Sequence, residues 1–239
     1  MLKSAILSLL ILTCTLSANA QTATPVANVP PAPVPTGVSP VSEPQPPAKR
    51  LRFNLGIGVN IANEAKFDNV IATGSITATG SAKYDVQSAF LVTGGAFYSG
   101  EHSWGGAASL SIEGARDLNS VQLTLGSSSA TAVFTSKPSI QLTVLEANAL
   151  YRWENIYLPF GFNFTIPKYT PEAGATDQTS LTGALGAQIG VGFLIGDHFQ
   201  LEAMSKVLSL KATQRSGTVS VNYQTGYLAG LNLNAKYLF

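Results

Sequence analysis

The 239-residue chain has a single cysteine, Cys14, and it lies in an apolar N-terminal segment. The remainder can therefore form no disulfide, thiol nucleophile or cysteine-based metal site. Charge is also scarce: 11% of residues are charged, against ~25% in an ordinary soluble domain. The 14 Lys+Arg nearly balance the 13 Asp+Glu, so the basic footprint of a nucleic-acid binder is missing. There are two histidines, His102 and His198. They fall in separate expected turns, a poor arrangement for a metal site or acid–base chemistry. No metal, cofactor or enzymatic activity is expected. Beyond residue 20 no apolar run approaches the ~20 residues of a spanning helix. Low charge without a helical span leaves β-structure as the way to use 45% hydrophobic residues.

The first 50 residues read as leader and linker. Residues 1–20 carry one positive charge (Lys3), an apolar run from Ala5 to Leu16, and Ala18-Asn19-Ala20 before Gln21. That is the layout of a cleaved secretory signal peptide. Residues 21–50 hold most of the prolines, among them Pro25, Pro30, Pro31, Pro33 and Pro35. Such a stretch builds no core and favours an extended, disordered periplasmic linker.

From residue 51 to 239 the dominant signal is alternation. In the last segment Tyr227, Ala229, Leu231, Leu233, Ala235, Tyr237 and Phe239 alternate with mostly small or polar residues. Successive strand side chains point to opposite faces, so one face is apolar and the other is not. Seven earlier segments alternate in the same way. The clearest sets Ile156, Leu158, Phe160, Phe162, Phe164 and Ile166 against Tyr157, Gly161, Asn163 and Thr165. Eight strands result. Their links alternate: 99–103, 154–155 and 196–198 are short, whereas 62–83, 115–139, 167–179 and 211–218 read as longer loops. Short turns at one end and longer loops at the other characterise transmembrane barrels. Tyr98, Trp104, Tyr151, Trp153 and Phe199 lie beside the short links, as an interfacial aromatic girdle would. Tyr84, Tyr169 and Tyr223 lie toward the long-loop end and are expected to form the second girdle.

If the apolar face meets lipid, the other face lines the lumen. The expected lumen charges are Arg52, Asp85, Glu113, Glu146, Arg152, Glu202, Lys206 and Lys236, four acids against four bases. An eight-stranded barrel is just wide enough for its side chains to fill, and charges in it must be paired or solvated. Balanced signs predict a paired polar plug, and strand heights predict the pairs Glu146–Lys206 and Glu202–Lys236. A lipocalin-like soluble barrel would place its apolar residues inside, contrary to this pattern.

Strand number, link asymmetry, aromatic placement and the terminal Phe239 together give a segment, Leu51–Phe239, that resembles the small OmpA/OmpX-type outer-membrane barrels. The resemblance implies an all-β, eight-stranded antiparallel transmembrane β-barrel in the outer membrane. It also implies a monomer in outer-membrane lipid with both chain ends periplasmic. Tyr227, Leu231, Leu233, Tyr237 and Phe239 would be the assembly signal read by the barrel-assembly machinery. Unlike in full-length OmpA-like proteins, no peptidoglycan-binding domain is expected after the barrel. The expected function is structural or surface-interaction, with a plugged lumen and exposed loops. The alternative is a narrow conduit for small or hydrophobic solutes, followed by a lipid-modifying barrel enzyme.

Overall fold

The computed structural model describes residues 50–62, 64–74, 77–100, 103–176 and 178–239. The expected signal peptide, nearly all of the linker and His102 lie outside the described residues. Thirteen strands form eight staves. The first stave is β1 (Arg50–Ile61) with β2 (Glu64–Thr73), and the second is β3 (Thr77–Val86) with β4 (Ala89–Ser99). The third is β5 (Trp104–Glu113) with β6 (Arg116–Leu125), from which β7 (Ser128–Val133) folds back. The fourth and fifth are β8 (Ser139–Trp153) and β9 (Ile156–Thr170). β10 (Gln178–Gly183) with β11 (Leu185–Ile195) makes the sixth. β12 (Phe199–Ser216) and β13 (Val219–Leu238) are the last two.

The ladder closes. β1 pairs antiparallel with β4 on one side and with β13 on the other, from Asn54↔Leu238 to Ile61↔Leu231. The remaining contacts run β4–β5–β8–β9–β11–β12–β13. Closure leaves no sheet edge in this part of the wall, and edge-free closure is what lets a sheet span a membrane. The end carrying the turns 154–155 and 196–198 and Phe239 is called the near end. Its turns are tight: Glu154 and Gly196 take the left-handed conformation, with φ of 53° and 60°.

The barrel has two storeys of opposite polarity. In β8, near-storey residues Leu145, Ala147, Tyr151 and Trp153 face out while Glu146, Asn148 and Arg152 face in. Toward the far end the same strand sends Ile140, Leu142 and Val144 inward and Ser139, Gln141 and Thr143 outward. β12 inverts likewise. Lys206 is the last inward charge before the buried Leu208, Leu210 and Ala212, and Lys211 and Arg215 face out beyond Val207. The expectation of a polar interior throughout is therefore corrected. The far storey has the apolar-in arrangement of a soluble barrel.

The links expected as long loops are also corrected. Most of 62–83 and 115–139 is strand: β2 pairs with β13 and β3, and β3 with β6. At 126–127 and 217–218 the far tips are turns as tight as the near ones. The alternation was hidden because staves one, two, three, six and eight change inward parity between the storeys. Ala62, residues 87–88 and 114–115, and Ala184 interrupt four of them, and β13 shifts register near Leu210/Ala212. One added residue moves every later side chain to the other face. The β2 bulge works in the same way, with Asn69 at φ 56° and a register shift between Phe67 and Val70.

Candidate functional site

Outside the near storey runs an apolar belt. Ile57, Phe90, Ile112, Phe162, Ile189 and Leu233 are all exposed, and Phe90 reaches 83% exposure. On β9 the belt runs from Ile156 to Ile166. At ~3.3 Å per residue on a strand tilted ~40° it is about 25 Å tall, the height of a membrane barrel's lipid-facing band. Tyr98, Trp104, Tyr151, Trp153, Phe199, Tyr237 and Phe239 are exposed around its near edge. Trp104 meets Tyr151 edge-on at 5.2 Å between ring centroids, and Tyr237 meets Phe239 at 5.1 Å. Leu231 and Leu233 also face out, and Tyr227 is half-buried at the far border of the belt. His198 stacks on Tyr237 at 5.5 Å, and its ring nitrogen lies 3.2 Å from the Leu238 carbonyl. That contact fixes a turn.

Inside, the near storey is filled in layers. At its mouth Arg52 donates to the Asp197 carbonyl (2.5 Å), and Arg152 donates to Ser99 Oγ (3.0 Å) and the Glu154 carbonyl (2.7 Å). Next comes an apolar stopper of Phe97, Leu150, Tyr157, Leu194 and Leu238. The Tyr157 ring lies over Gly192, whose missing side chain makes the room. Above it Glu202 pairs with Lys236 and accepts hydrogen bonds from Tyr157 Oη (2.8 Å) and Gln200 (2.9 Å). Glu146 pairs with Lys206 at 2.5 Å across the lumen and accepts from Ser111 Oγ (3.0 Å) and Gln188 (3.3 Å). The last layer is Glu113 with Arg116, both 1% exposed, tied to Asn60 through a 2.6 Å bond to Glu113. Arg116 also donates to the carbonyls of Asn60 (3.4 Å) and Gln87 (3.2 Å).

Arg116 was not among the expected lumen residues, because 115–139 read as a loop. Asp85 is corrected in the opposite sense. It is exposed on the outer wall of the far storey, where it accepts from Asn119 (3.1 Å). Nearby on that wall Glu64 pairs with Lys66 (2.9 Å) and Lys83. Burial pulls the Glu64 carboxyl up, but the hydrogen bonds and charges of Lys83 and Lys66 outweigh it and hold it below its ordinary range.

A prediction follows from the central layer. Reversing Glu146 and Lys206 together (Glu146→Lys with Lys206→Glu) should recover much of the stability lost by either reversal alone. The coupling should reach about 3 kcal/mol in a double-mutant cycle. Additive losses in urea unfolding would show that the two charges are solvated separately.

Above the Glu113–Arg116 layer lies an apolar chamber of about 220 Å³. Phe67, Leu118, Val121, Leu123, Ile140 and Leu181 form much of its wall, and among the described residues no charged one lines it. Tyr84, Tyr169 and Tyr223, expected as an outer girdle, instead point into this chamber. Phe67 packs edge-on against Tyr84 (5.7 Å) and Tyr223 (5.2 Å). Tyr84 Oη donates to Tyr223 Oη at 3.3 Å, and Tyr223 Oη donates to Gln214 Oε1 at 3.3 Å.

The chamber wall has a seam. The β9–β11 ladder ends at Phe164↔Leu185, and Thr165 N–H still donates to the Ala184 carbonyl (3.3 Å). Two residues on, the position aimed at the same neighbour is Pro167, which has no N–H to give. Among the described residues, β10 pairs with β12 and forms no ladder with β9.

The closed eight-stave ladder, the apolar belt and the polar lumen define a transmembrane β-barrel of the outer-membrane kind. No protein-family profile and no curated protein matches the chain. Among solved structures it is similar to the outer membrane protein OprG from Pseudomonas aeruginosa. Identity there is 15%, covering 77% of this chain and 94% of that one, at a TM-score of 0.46. It is also similar to AlkL, an outer membrane protein solved in DMPC bilayers, at 11% identity. That match covers 90% of this chain and 96% of the other, at a TM-score of 0.47. The fold assignment rests on the closed ladder and the belt, not on these distant likenesses.

Proposed function

We propose that this barrel sits in the outer membrane with its near end periplasmic and admits small uncharged apolar molecules through its far storey. The observation that carries the reading is a chamber of about 220 Å³ without a charged lining residue among the described ones, stacked on three buried ion pairs. An apolar solute gains by leaving water for such a chamber. It cannot proceed down the lumen without breaking ion pairs that cost several kcal/mol to separate. The β9–β10 seam is the weakest part of the chamber wall and opens sideways, just above the far border of the belt. Chain ends, belt and girdle fit this orientation, and the polar far storey then stands outside the bilayer. The C-terminal strand ending in Phe239 would serve assembly, and the protein would act as a monomer.

The test is uptake of a small hydrocarbon such as propylbenzene by cells making the barrel. Ala212, a small residue of the chamber wall, is replaced by Trp to fill the chamber. Ala212→Trp should bring uptake to the level of cells without the protein. Pro167→Ala, which supplies the missing N–H, should slow uptake while the isolated barrel still binds the hydrocarbon. Planar bilayers containing the protein should show no discrete ion channels. Uptake unaffected by Ala212→Trp, or reproducible channels, would overturn the reading.

A further inference from the structure

The chamber is not uniformly apolar, and one polar pole of its wall has a direction. Tyr84 spends its only proton on Tyr223, and Tyr223 spends its proton on Gln214. Both bonds are 3.3 Å, long against the ~2.7–2.8 Å usual for O–H···O. A phenol oxygen that has donated keeps its lone pairs. The start of the relay, Tyr84 Oη, is therefore an acceptor, half-buried beside Phe67 in a wall whose described residues carry no charge. An acceptor there calls for a ligand that donates a hydrogen bond. A carboxylate would bring an acceptor to an acceptor, and its charge would have no counter-ion. The edge-on arrangement of Phe67, Tyr84 and Tyr223 adds ring edges and faces that suit an aromatic guest. Size limits the guest further. At ~30 Å³ of liquid volume per water, the chamber holds about seven waters or a ligand on the order of ten non-hydrogen atoms.

Resting on the chamber reading above, we infer that the preferred guest is a small neutral phenol, with its hydroxyl donated to Tyr84 Oη and its ring and alkyl tail among Phe67, Leu118, Leu123 and Leu181. A site built to hydrogen-bond a hydroxyl discriminates against the analogue lacking it, because its own polar group is then left unpaired.

The experiment compares three probes of matched shape on the full-length protein folded in lipid nanodiscs: 4-propylphenol, propylbenzene and 4-propylbenzoate. Binding is read by saturation-transfer NMR, with protein-free nanodiscs as the control for partitioning. The wild type should hold 4-propylphenol about tenfold more tightly than propylbenzene, the effect of one well-made neutral hydrogen bond. It should not hold 4-propylbenzoate. The double variant Tyr84→Phe/Tyr223→Phe keeps the rings and removes the relay. It should lose the preference for the phenol over propylbenzene. Heat-modifiable migration on gels confirms that this variant is folded, and if it is not, Tyr84→Phe alone is measured in the same way. Equal affinity of the wild type for phenol and hydrocarbon, or a preference that survives in a folded variant, overturns the inference and leaves the chamber reading intact. Failure of all three probes to bind the wild type overturns both.

Discussion

Replacing Arg116 by Leu should cost about 3–5 kcal/mol of unfolding stability, the usual penalty for leaving one member of a buried ion pair unpaired. Arg116 and Glu113 are both 1% exposed, and Glu113 is held by Asn60 as well as by Arg116. In the variant the Glu113 carboxylate has neither water nor a cation, so it must take up a proton or draw water into the barrel. The double variant Glu113→Leu/Arg116→Leu removes both charges and should recover most of the loss, since apolar replacements of buried pairs are often neutral or better. Urea unfolding of the three proteins from lipid vesicles gives the comparison. An Arg116→Leu barrel as stable as the wild type would show that Glu113 is hydrated and that the layer is no seal. The layer divides the polar lumen from the apolar chamber, so its integrity bears directly on where a solute can go.

A single arginine in the belt should have nearly as large an effect. Phe162 lies midway along the lipid-facing run of β9 and is 62% exposed. In a bilayer, Phe162→Arg puts a charge near the midplane of the hydrocarbon, at a cost of about 2–4 kcal/mol. On a soluble barrel the same substitution would be an exposed surface change worth about ±0.5 kcal/mol. Thr131→Arg serves as control, because Thr131 is exposed on β7 in the far storey. It should be neutral in vesicles. The pair of measurements therefore locates the membrane on the molecule. A neutral Phe162→Arg, or a costly Thr131→Arg, would contradict that placement.

The sequence by itself determined the near storey. β8, β9 and β12 keep one inward parity along their whole length, so their period-two pattern could be read directly, and from it which of Glu146, Glu202 and Lys206 point inward. The girdle residues Tyr151 and Trp153 were legible for the same reason. They sit on an unbroken run that ends in a tight turn. Only the tertiary structure decided the far storey. There, breaks near 62, 87–88, 114–115 and 184 carry the chain across the wall from one parity to the other. Glu113 and Arg116, three apart, can then both point inward, and Asp85 takes the face opposite to the one expected of it. Alternation records which residues share a face but not which face is inside. Tyr84 and Tyr223 came inward because the far storey, beyond the apolar belt, has no lipid to bury its apolar side chains and must bury them in itself.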